Sequence, residues 1–325
     1  MITPQDILLA QRTIRPYVFR TPLRDAFLLG ERVGASVFLK LDNWQITGSF
    51  KPRGVLNRMA LMTAEERARG VVTASAGNHA LGVGYAARAL NISPVTIFVP
   101  RTAPRAKIDK LRQFPVKVQL AGETYDEAHH AAEAYERDTG ATFVHAYDDP
   151  RTVAGQGTLG LEILEDLPDV DAILVPVGGG GMIAGIATVV KALAPQVKII
   201  AVQPVASPAL SDSLRDNKCY EEYAAAPTIC DGLAGGIGKI VFETAQHGLI
   251  DDVVLVEEDE TRAAVRALAE TQQVMVEGSG AVGVAALLAG KVNLAGKRVA
   301  IVISGGNIDL ELFSEIAGTV ARPTA

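Results

Sequence analysis

The chain has 325 residues, of which 48% are hydrophobic and 21% are charged, and its formal net charge is −6 at pH 7. At roughly 100–200 residues per domain, this length predicts one large domain or two smaller ones with a substantial core. The acidic balance excludes neither fold class nor enzyme activity, but it disfavours nucleic acid and anionic membranes as partners.

The predicted elements begin with a helix and continue as an alternation of strands and helices. Thr3 caps the first helix, Pro4 occupies its first position, and Ile7, Leu8 and Ile14 share one face. Short β-branched runs follow at 71–73, 95–99, 116–119, 172–177, 198–202, 253–256 and 298–303, with helical stretches such as 80–90, 125–139 and 260–273 between them. This alternation predicts an α/β fold of open parallel sheets with helices on both faces.

Three of the predicted strands run into glycine-rich loops, and ligands of such sheets bind beyond the carboxyl ends of strands. In SAGNHA (75–80), Asn78 is expected to cap the next helix, whose free N–H groups can attract an anion. An ordinary strand-to-helix turn is the alternative, and it is favoured for this loop alone. Four consecutive glycines at 178–181 favour a phosphate on bare backbone at a helix start, with tight strand–helix packing as the alternative. The loop lacks both the GK[ST] ending of a nucleotide loop and the GxGxxG spacing of a dinucleotide site.

Two further positions are candidates for chemistry. Lys51 lies between Phe50 and Pro52 in a weakly charged stretch, where an amine can lose its proton and act as a nucleophile or base. A solvated, exposed lysine is the alternative, and it is favoured for any lone lysine. Ser304 ends a strand, and its hydroxyl can donate or accept a hydrogen bond, although a simple turn is the favoured explanation of this motif alone.

Four motifs in fixed order, TGSFKPRG (47–54), SAGNH (75–79), GGGG (178–181) and SGGN (304–307), resemble the fold-type II pyridoxal-phosphate (PLP) enzymes. The branch that looks most similar is that of the serine/threonine dehydratases and serine racemases, and the similarity runs from RTPL at 20–23 to SGGNIDL. It implies a tryptophan synthase β-like fold, with a large domain at 1–60 and 145–325 and a small mobile domain at 61–144. It also implies a homodimer or homotetramer with PLP in the cleft between the domains.

The resemblance assigns roles to individual residues. Lys51 would form the Schiff base with PLP and remove the substrate Cα proton, and Ser75 and Asn78 would join it in catalysis. Phe50 would pack beside the cofactor ring, Asn78 would bind its phenolic oxygen and Ser304 would face its nitrogen. The phosphate would be held by Gly178, Gly179, Gly180, Gly181 and the Met182 amide. The substrate carboxylate would be bound by Ser75, Ala76, Gly77, Asn78 and His79.

The implied activity is β-elimination from L-threonine or L-serine, which gives 2-oxobutyrate or pyruvate and ammonia. The alternatives are a dehydratase of 3-hydroxyaspartate or phenylserine, a serine racemase, a β-replacing synthase, and a protein that binds PLP or an amino acid without turnover. Ala76 stands where serine racemases carry a second serine, and its methyl group cannot carry a proton. This difference favours elimination.

Other positions refine the expectation. Gln203 and Ala209 replace the acids that bind Mg²⁺ in many relatives, so we expect no tight divalent metal site, with Asp212 as a nearby ligand if the register differs. Glu277 is either a carboxylate supporting the cofactor site or a plain structural one. Tyr147, Gly236 and the loop after residue 232 are candidates for the pocket wall.

Two last expectations concern the setting of the chain. Cys219 and Cys230 lack CxxC spacing and predict free thiols in a reducing cytoplasm. Since the sequence ends shortly after SGGNIDL, we expect no appended regulatory domain.

Overall fold

A computed structural model describes residues 2–318, which fold into two sheets surrounded by helices. The strands are β1 (Leu23–Asp25), β2 (Ser36–Leu41), β3 (Val71–Ala74), β4 (Val95–Val99), β5 (Lys117–Leu120), β6 (Thr142–Phe143), β7 (Ala172–Pro176), β8 (Lys198–Pro204), β9 (Asp252–Val256) and β10 (Arg298–Ile303). The helices are α1 (Pro4–Ile14), α2 (Phe27–Val33), α3 (Lys51–Ala60), α4 (Ala64–Arg69), α5 (Asn78–Ala89), α6 (Arg105–Leu111), α7 (Tyr125–Thr139), α8 (Pro150–Asp166), α9 (Gly181–Leu193), α10 (Ala209–Asp216), α11 (Lys239–Gln246), α12 (Glu258–Gln272), α13 (Gly278–Leu288) and α14 (Leu310–Gly318). Short 3₁₀ turns lie at Asp42–Trp44 and Asp231–Leu233.

Both sheets are built almost entirely from parallel strands. The six-stranded sheet has the order β1-β2-β10-β7-β8-β9, in which only the β1–β2 pair is antiparallel. The four-stranded sheet has the order β5-β4-β3-β6 and is parallel throughout. Because helices cover both faces of a parallel sheet, its central strands read as continuous apolar runs, and β3, β4 and β7 are buried along their whole length. The predicted α/β class is confirmed.

Helix α3 packs against the small sheet as well as against the large-sheet half. Val55 and Leu56 share one apolar cluster with Val83 of α5 and Ile97 of β4. The small sheet uses residues 71–143, which lie inside the predicted 61–144 unit. The division into domains and the mobility of the smaller one stay predictions, and residues 1 and 319–325 of the predicted large domain lie outside the described part.

Most predicted elements lie within two residues of the observed bounds, and the differences have physical causes. β1 and β6 are too short to leave a pattern, and β2 (SVFLKL) was missed because a lysine interrupts its apolar run. The first helix has the predicted Thr3 cap, reinforced by the Asp6 side chain. The predicted shared face was wrong for Leu8, which is 45% exposed, because the 3.6-residue period turns Ala10 inward with Ile7 and Ile14.

Candidate active site

A cleft of about 530 Å³ opens between the two sheets, at the carboxyl ends of their strands. The loops after β3, β7 and β10 meet there, as the glycine-rich pattern predicted. Every residue with a predicted cofactor or substrate role lines this cleft: Phe50, Lys51, Ser75, Ala76, Gly77, Asn78, His79, Gly178, Gly179, Gly180, Gly181, Met182 and Ser304. The fold therefore brings together segments that are more than 250 residues apart in sequence by the count from 50 to 304.

Lys51 is the first residue of α3, and it lines the cleft. Nζ donates to the Ala146 carbonyl at 3.3 Å and lies 5.1 Å from the centre of the Phe50 ring. Burial lowers the pKa of Lys51 to about 8, against an opposing effect of the Glu277 carboxylate. Lys51 is partly buried and lines the cleft, which disfavours the alternative of a solvated, exposed lysine, and its catalytic role stays a prediction.

The four-glycine loop has no room for side chains. A Cβ at Gly179 would lie 2.2 Å from the Tyr147 ring, and one at Gly180 would lie 2.3 Å from Val241. Gly180 also has φ of +87°, which β-carbon-bearing residues adopt with strain. Helix α9 begins at Gly181, so its first N–H groups have no acceptor within the helix, and its first two residues line the cleft. A bare backbone at a helix start fits a phosphate group.

Asn78 does not cap α5, so that prediction was wrong. Gly77 is the cap residue, and the Asn78 amide instead joins a network inside the cleft. Its Nδ2 donates to Glu277 Oε1 at 2.8 Å, and its Oδ1 accepts from Asn307 Nδ2 at 2.8 Å. Asn307 Nδ2 also donates to the Thr47 carbonyl at 2.8 Å. The side chain of Asn78 is thus held in one orientation from both ends.

Glu277 contacts this network as a buried carboxyl group, only 7% exposed. Burial raises its pKa to about 7, Asp231 adds to the rise, and the hydrogen bond from Asn78 opposes it. Of the two interpretations of Glu277, a carboxylate that supports the site agrees with this position. Asn307 was not singled out from the sequence, although it is the last letter of the SGGN motif.

His79 and Ser75 serve the conformation of their own loop. His79 Nε2 lies 2.9 Å from the Val144 carbonyl, which requires the proton on Nε2, and 3.0 Å from Thr73 Oγ1. Burial lowers the pKa of His79 to about 3, so the ring is neutral. Ser75 Oγ accepts from the Gly77 N–H at 3.1 Å. Substrate binding by this loop stays a prediction. His79 would take part through its backbone N–H, because its imidazole is already hydrogen-bonded to Thr73 and Val144.

Ser304 and Met182 occupy well-defined places at the edges of the cleft. Ser304 follows β10, is 3% exposed, and accepts the Phe50 N–H on its carbonyl at 3.0 Å. It is therefore tied to the turn that carries Lys51. Met182 is the second residue of α9 and is 4% exposed. The roles of these two residues toward the cofactor stay predictions.

Behind α3, a buried network of charges anchors the helix. Arg53 contacts Asp42 at 2.7 Å and Glu162 at 2.7 Å, and Lys40 contacts Glu162 at 2.6 Å. Lys40 also donates to the Thr21 carbonyl at 2.6 Å. All four charged side chains are at most 7% exposed, and their two positive and two negative charges balance. A separate cavity of about 410 Å³ adjoins this network and contains none of the predicted site residues.

The cleft is also lined by residues that have no predicted role toward the cofactor or the substrate, and several of them are exposed at its opening, here called the rim. Tyr147 and Gly236, which were candidates for the wall, both line it. Lys107 of α6 pairs with Asp231 at 2.9 Å, and this ion pair spans the cleft from the small-sheet side to the other. Among the charged residues that line the cleft and are at least partly exposed, acids outnumber lysines. The acids are Asp126, Glu221, Glu222, Asp231 and Asp309, and the lysines are Lys107 and Lys110 in addition to Lys51.

The side chains of Gln203 and Asp212, in the segment that corresponds to the divalent metal site of many relatives, make hydrogen bonds that stabilise the local fold. Gln203 Oε1 accepts from the Leu210 and Ser211 N–H groups at 3.0 and 3.2 Å, so it caps α10. Asp212 accepts from the Tyr223 hydroxyl and pairs with Arg215. Within residues 2–318, no group of three or more His, Cys, Asp or Glu side chains is arranged to hold a metal ion. The expectation of no tight divalent site stays a prediction.

The site defines a class of protein: an enzyme in which a lysine of lowered pKa and a bare glycine loop at a helix start line one cleft, as a phosphorylated carbonyl cofactor requires. The family model described as pyridoxal-phosphate dependent enzyme matches residues 14–305, and the chain belongs to this family. Its cofactor is therefore pyridoxal phosphate. The residues present fit that group, since a phosphate needs the glycine cradle and the aldehyde needs a reactive amine.

Similar proteins agree with this assignment. The chain is 48% identical to an L-threonine ammonia-lyase of Thermotoga maritima, over 97% of this chain and 78% of that protein. It is 44% identical to an L-threonine ammonia-lyase of Geobacter sulfurreducens, over 94% and 76%. Among solved structures, a threonine deaminase isoform of Solanum lycopersicum superposes with a TM-score of 0.92 at 35% identity, covering 98% of this chain and 92% of that one. Maize serine racemase gives a TM-score of 0.90 at 32% identity, with 97% and 96% covered.

Two findings concern the setting of the chain. Among the helices of residues 2–318, none has the length and apolar character needed to cross a bilayer. Cys219 and Cys230 are both free thiols, as predicted, and Cys230 is buried.

Proposed function

We propose that this chain catalyses the dehydration and deamination of L-threonine and L-serine, releasing 2-oxobutyrate or pyruvate together with ammonia. The observation that carries the proposal is the meeting of Lys51, with its lowered pKa, and the glycine cradle in one cleft with the 75–79 loop. The names of the Thermotoga and Geobacter relatives support threonine as the substrate.

Four parts of the site would hold the cofactor. The 178–181 loop and the Met182 N–H would bind the phosphate, Lys51 would bind the aldehyde, Asn78 would contact the phenolic oxygen and Ser304 the ring nitrogen. When bound, pyridoxal phosphate acts as an electron sink that makes the Cα–H bond of an amino acid acidic. Ser304 offers a hydroxyl rather than a carboxylate, so it does not force a proton onto the ring nitrogen.

The chain's own side chains and backbone would then handle the proton and the substrate. Lys51 Nζ accepts the Cα proton, and its lowered pKa leaves enough unprotonated amine to do so near neutral pH. The Ala146 carbonyl accepts a hydrogen bond from this amine and so fixes its position in the cleft. The first-turn N–H groups of α5, with the Ser75 hydroxyl beside them, bind the substrate carboxylate.

We also propose that residues 61–144 move as a unit and close on the substrate. Closure of such a unit excludes water and completes the site. The Lys107–Asp231 ion pair supports this proposal, because it joins the two walls of the cleft at the rim. Crystal structures with and without a bound amino acid test it, and an unchanged cleft in both would overturn it.

Three observations favour this function over the alternatives. A second carboxylate, as in 3-hydroxyaspartate, would meet a rim that already contains more acids than lysines. Ala76 lines the cleft and has no group that could carry a proton to the opposite face of the substrate, which disfavours racemisation. A protein that only binds PLP has no need of a lysine with a lowered pKa.

A substrate panel tests the proposal. Purified holoprotein is assayed for ammonia and 2-oxo acid from L-threonine, L-serine, 3-hydroxyaspartate and phenylserine, with K51A as the inactive control. L-threonine and L-serine are expected to give the highest kcat/KM. Higher activity on 3-hydroxyaspartate, faster appearance of D-serine than of pyruvate, or no ammonia from any of the four would each overturn it.

Assembly and location are proposals of the same kind. We propose a homodimer or homotetramer, which exposed apolar side chains such as Phe19, Phe27 and Trp44 support. We propose a cytoplasmic location, which the two unpaired cysteines support. Sedimentation equilibrium of the holoprotein tests the first, and cell fractionation tests the second.

A further inference from the structure

The segment between β6 and α8 contacts two parts of the site that the cofactor needs. The Ala146 carbonyl accepts from Lys51 Nζ at 3.3 Å. The Tyr147 ring covers the glycine loop so closely that a Cβ at Gly179 would lie 2.2 Å from it. The conformation of residues 146–148 therefore fixes both the lysine amine and the packing of the phosphate loop.

The same segment also orients the neighbouring helix. Asp148 Oδ1 accepts from the Ile240 N–H in the first turn of α11 at 3.0 Å. Just before that turn, the Gly238 N–H donates to the Gly179 carbonyl at 3.0 Å. Three elements of the cleft thus converge on a short piece of irregular chain.

The His145 side chain stabilises the turn at residues 145–148 by hydrogen bonds to its backbone. His145 Nδ1 accepts from the Asp148 N–H at 2.8 Å and from the Tyr147 N–H at 3.3 Å. The His145 ring also stands edge-on to the Tyr147 ring, with 4.6 Å between centres. Because Nδ1 accepts both bonds, the ring is neutral and its proton is on Nε2. Burial lowers the pKa of His145 to about 4, with Asp148 opposing, so the acceptor persists at neutral pH.

We propose that His145 is a positioning residue for the cofactor site, acting through its Nδ1 acceptor on the turn that carries the Ala146 carbonyl and the Tyr147 ring. It contacts neither the substrate nor the reacting atoms. The proposal rests on the cofactor that family membership supplies and is independent of which amino acid the enzyme consumes.

Three substitutions separate the acceptor from the bulk of the ring. In H145N the amide Oδ1 is attached to Cγ, as Nδ1 is in histidine, so it can accept the same two N–H groups. H145L has a branched apolar side chain of similar reach and no acceptor. H145Q keeps an amide but places it one bond further along, which makes it a control for polarity alone.

The primary measurement is the dissociation constant of pyridoxal phosphate for each apoprotein, followed by visible absorbance without any amino acid. Urea unfolding of the apoproteins reports fold stability separately. H145L and H145Q are expected to bind the cofactor at least tenfold more weakly, which corresponds to about 1.4 kcal/mol. H145N is expected to stay within about threefold of the unchanged chain.

Equal cofactor affinity in H145N and H145L would overturn the proposal, as would full affinity in H145L. If H145L does not fold, H145N and H145Q provide the same comparison between a correctly placed and a displaced acceptor. The readout needs no turnover, so a failure to release ammonia from threonine would overturn the proposed function and leave this measurement intact.

Discussion

Gly180→Ala tests whether the phosphate loop needs a glycine for its conformation and its contacts. Gly180 has φ of +87°, and a left-handed conformation costs an L-residue about 1–2 kcal/mol. The new Cβ would also lie 2.3 Å from the Val241 side chain, although Cβ atoms essentially never come within 3.0 Å of a heavy atom outside their own residue and its chain neighbours. Overpacking of this kind adds about 1–3 kcal/mol, so we expect a loss of about 2–5 kcal/mol in the free energy of unfolding.

Gly248→Ala is the matched control. Its φ of +72° imposes a similar backbone cost, but a Cβ there would have no heavy atom within 4 Å. The assay combines urea unfolding with titration of each apoprotein by pyridoxal phosphate. G180A should lose at least tenfold in cofactor affinity, because a displaced Val241 moves the start of α11, whose preceding Gly238 bonds to the loop at Gly179. Equal effects of G180A and G248A on stability and cofactor affinity would refute this reasoning.

Three further predictions follow from burial and charge. Borohydride trapping measures how much pyridoxal phosphate is attached to Lys51, and this amount should rise with pH through a midpoint near 8, because only the unprotonated amine reacts. In E277Q the midpoint should move to lower pH, because the Glu277 anion raises the pKa of Lys51. E162Q should lower the free energy of unfolding, measured by urea denaturation, by about 3–5 kcal/mol, because it leaves two buried cations with one acid. The control E165Q removes one partner of a half-exposed ion pair and should lower it by about 0–1 kcal/mol. K107M, which removes the ion pair across the cleft, should raise the KM for threonine up to about fivefold and leave the cofactor dissociation constant unchanged, in line with the small worth of an exposed pair.

Two kinds of sequence signal pointed to the cleft. Glycine loops at strand ends are local signals and located three of its loops, whereas the family resemblance named the thirteen residues with predicted roles. All thirteen line one cleft, and their roles stay predictions. The Asn78 cap was wrong because a local preference competed with a partner 199 residues away, Glu277, which only the fold brings near. A residue's secondary-structure preference says nothing about such a partner.

The buried ion network is a second feature that depends on contacts between distant segments and that local sequence patterns do not predict. Lys40 stands in a strand and Glu162 on a helix, and each looks like an ordinary surface charge in sequence. Their contact at 2.6 Å and their near-complete burial arise from packing between distant segments. Their charge alone favoured exposure, because charged residues are seldom fully buried unless they are paired.

The position of this network shows how Lys51 is held on the large-sheet side of the cleft. Arg53 lies two residues after Lys51 on α3 and is fixed by Asp42 and Glu162, so the start of the helix is tied to the large-sheet half. Breaking such a pair leaves an uncompensated buried charge, which resists any displacement of α3. The outer part of α3 packs on the small sheet through apolar contacts, which are non-directional and tolerate sliding more readily than paired charges. If residues 61–144 close on the substrate as proposed, the Lys51 amine would therefore stay with the glycine cradle while the 75–79 loop approaches it.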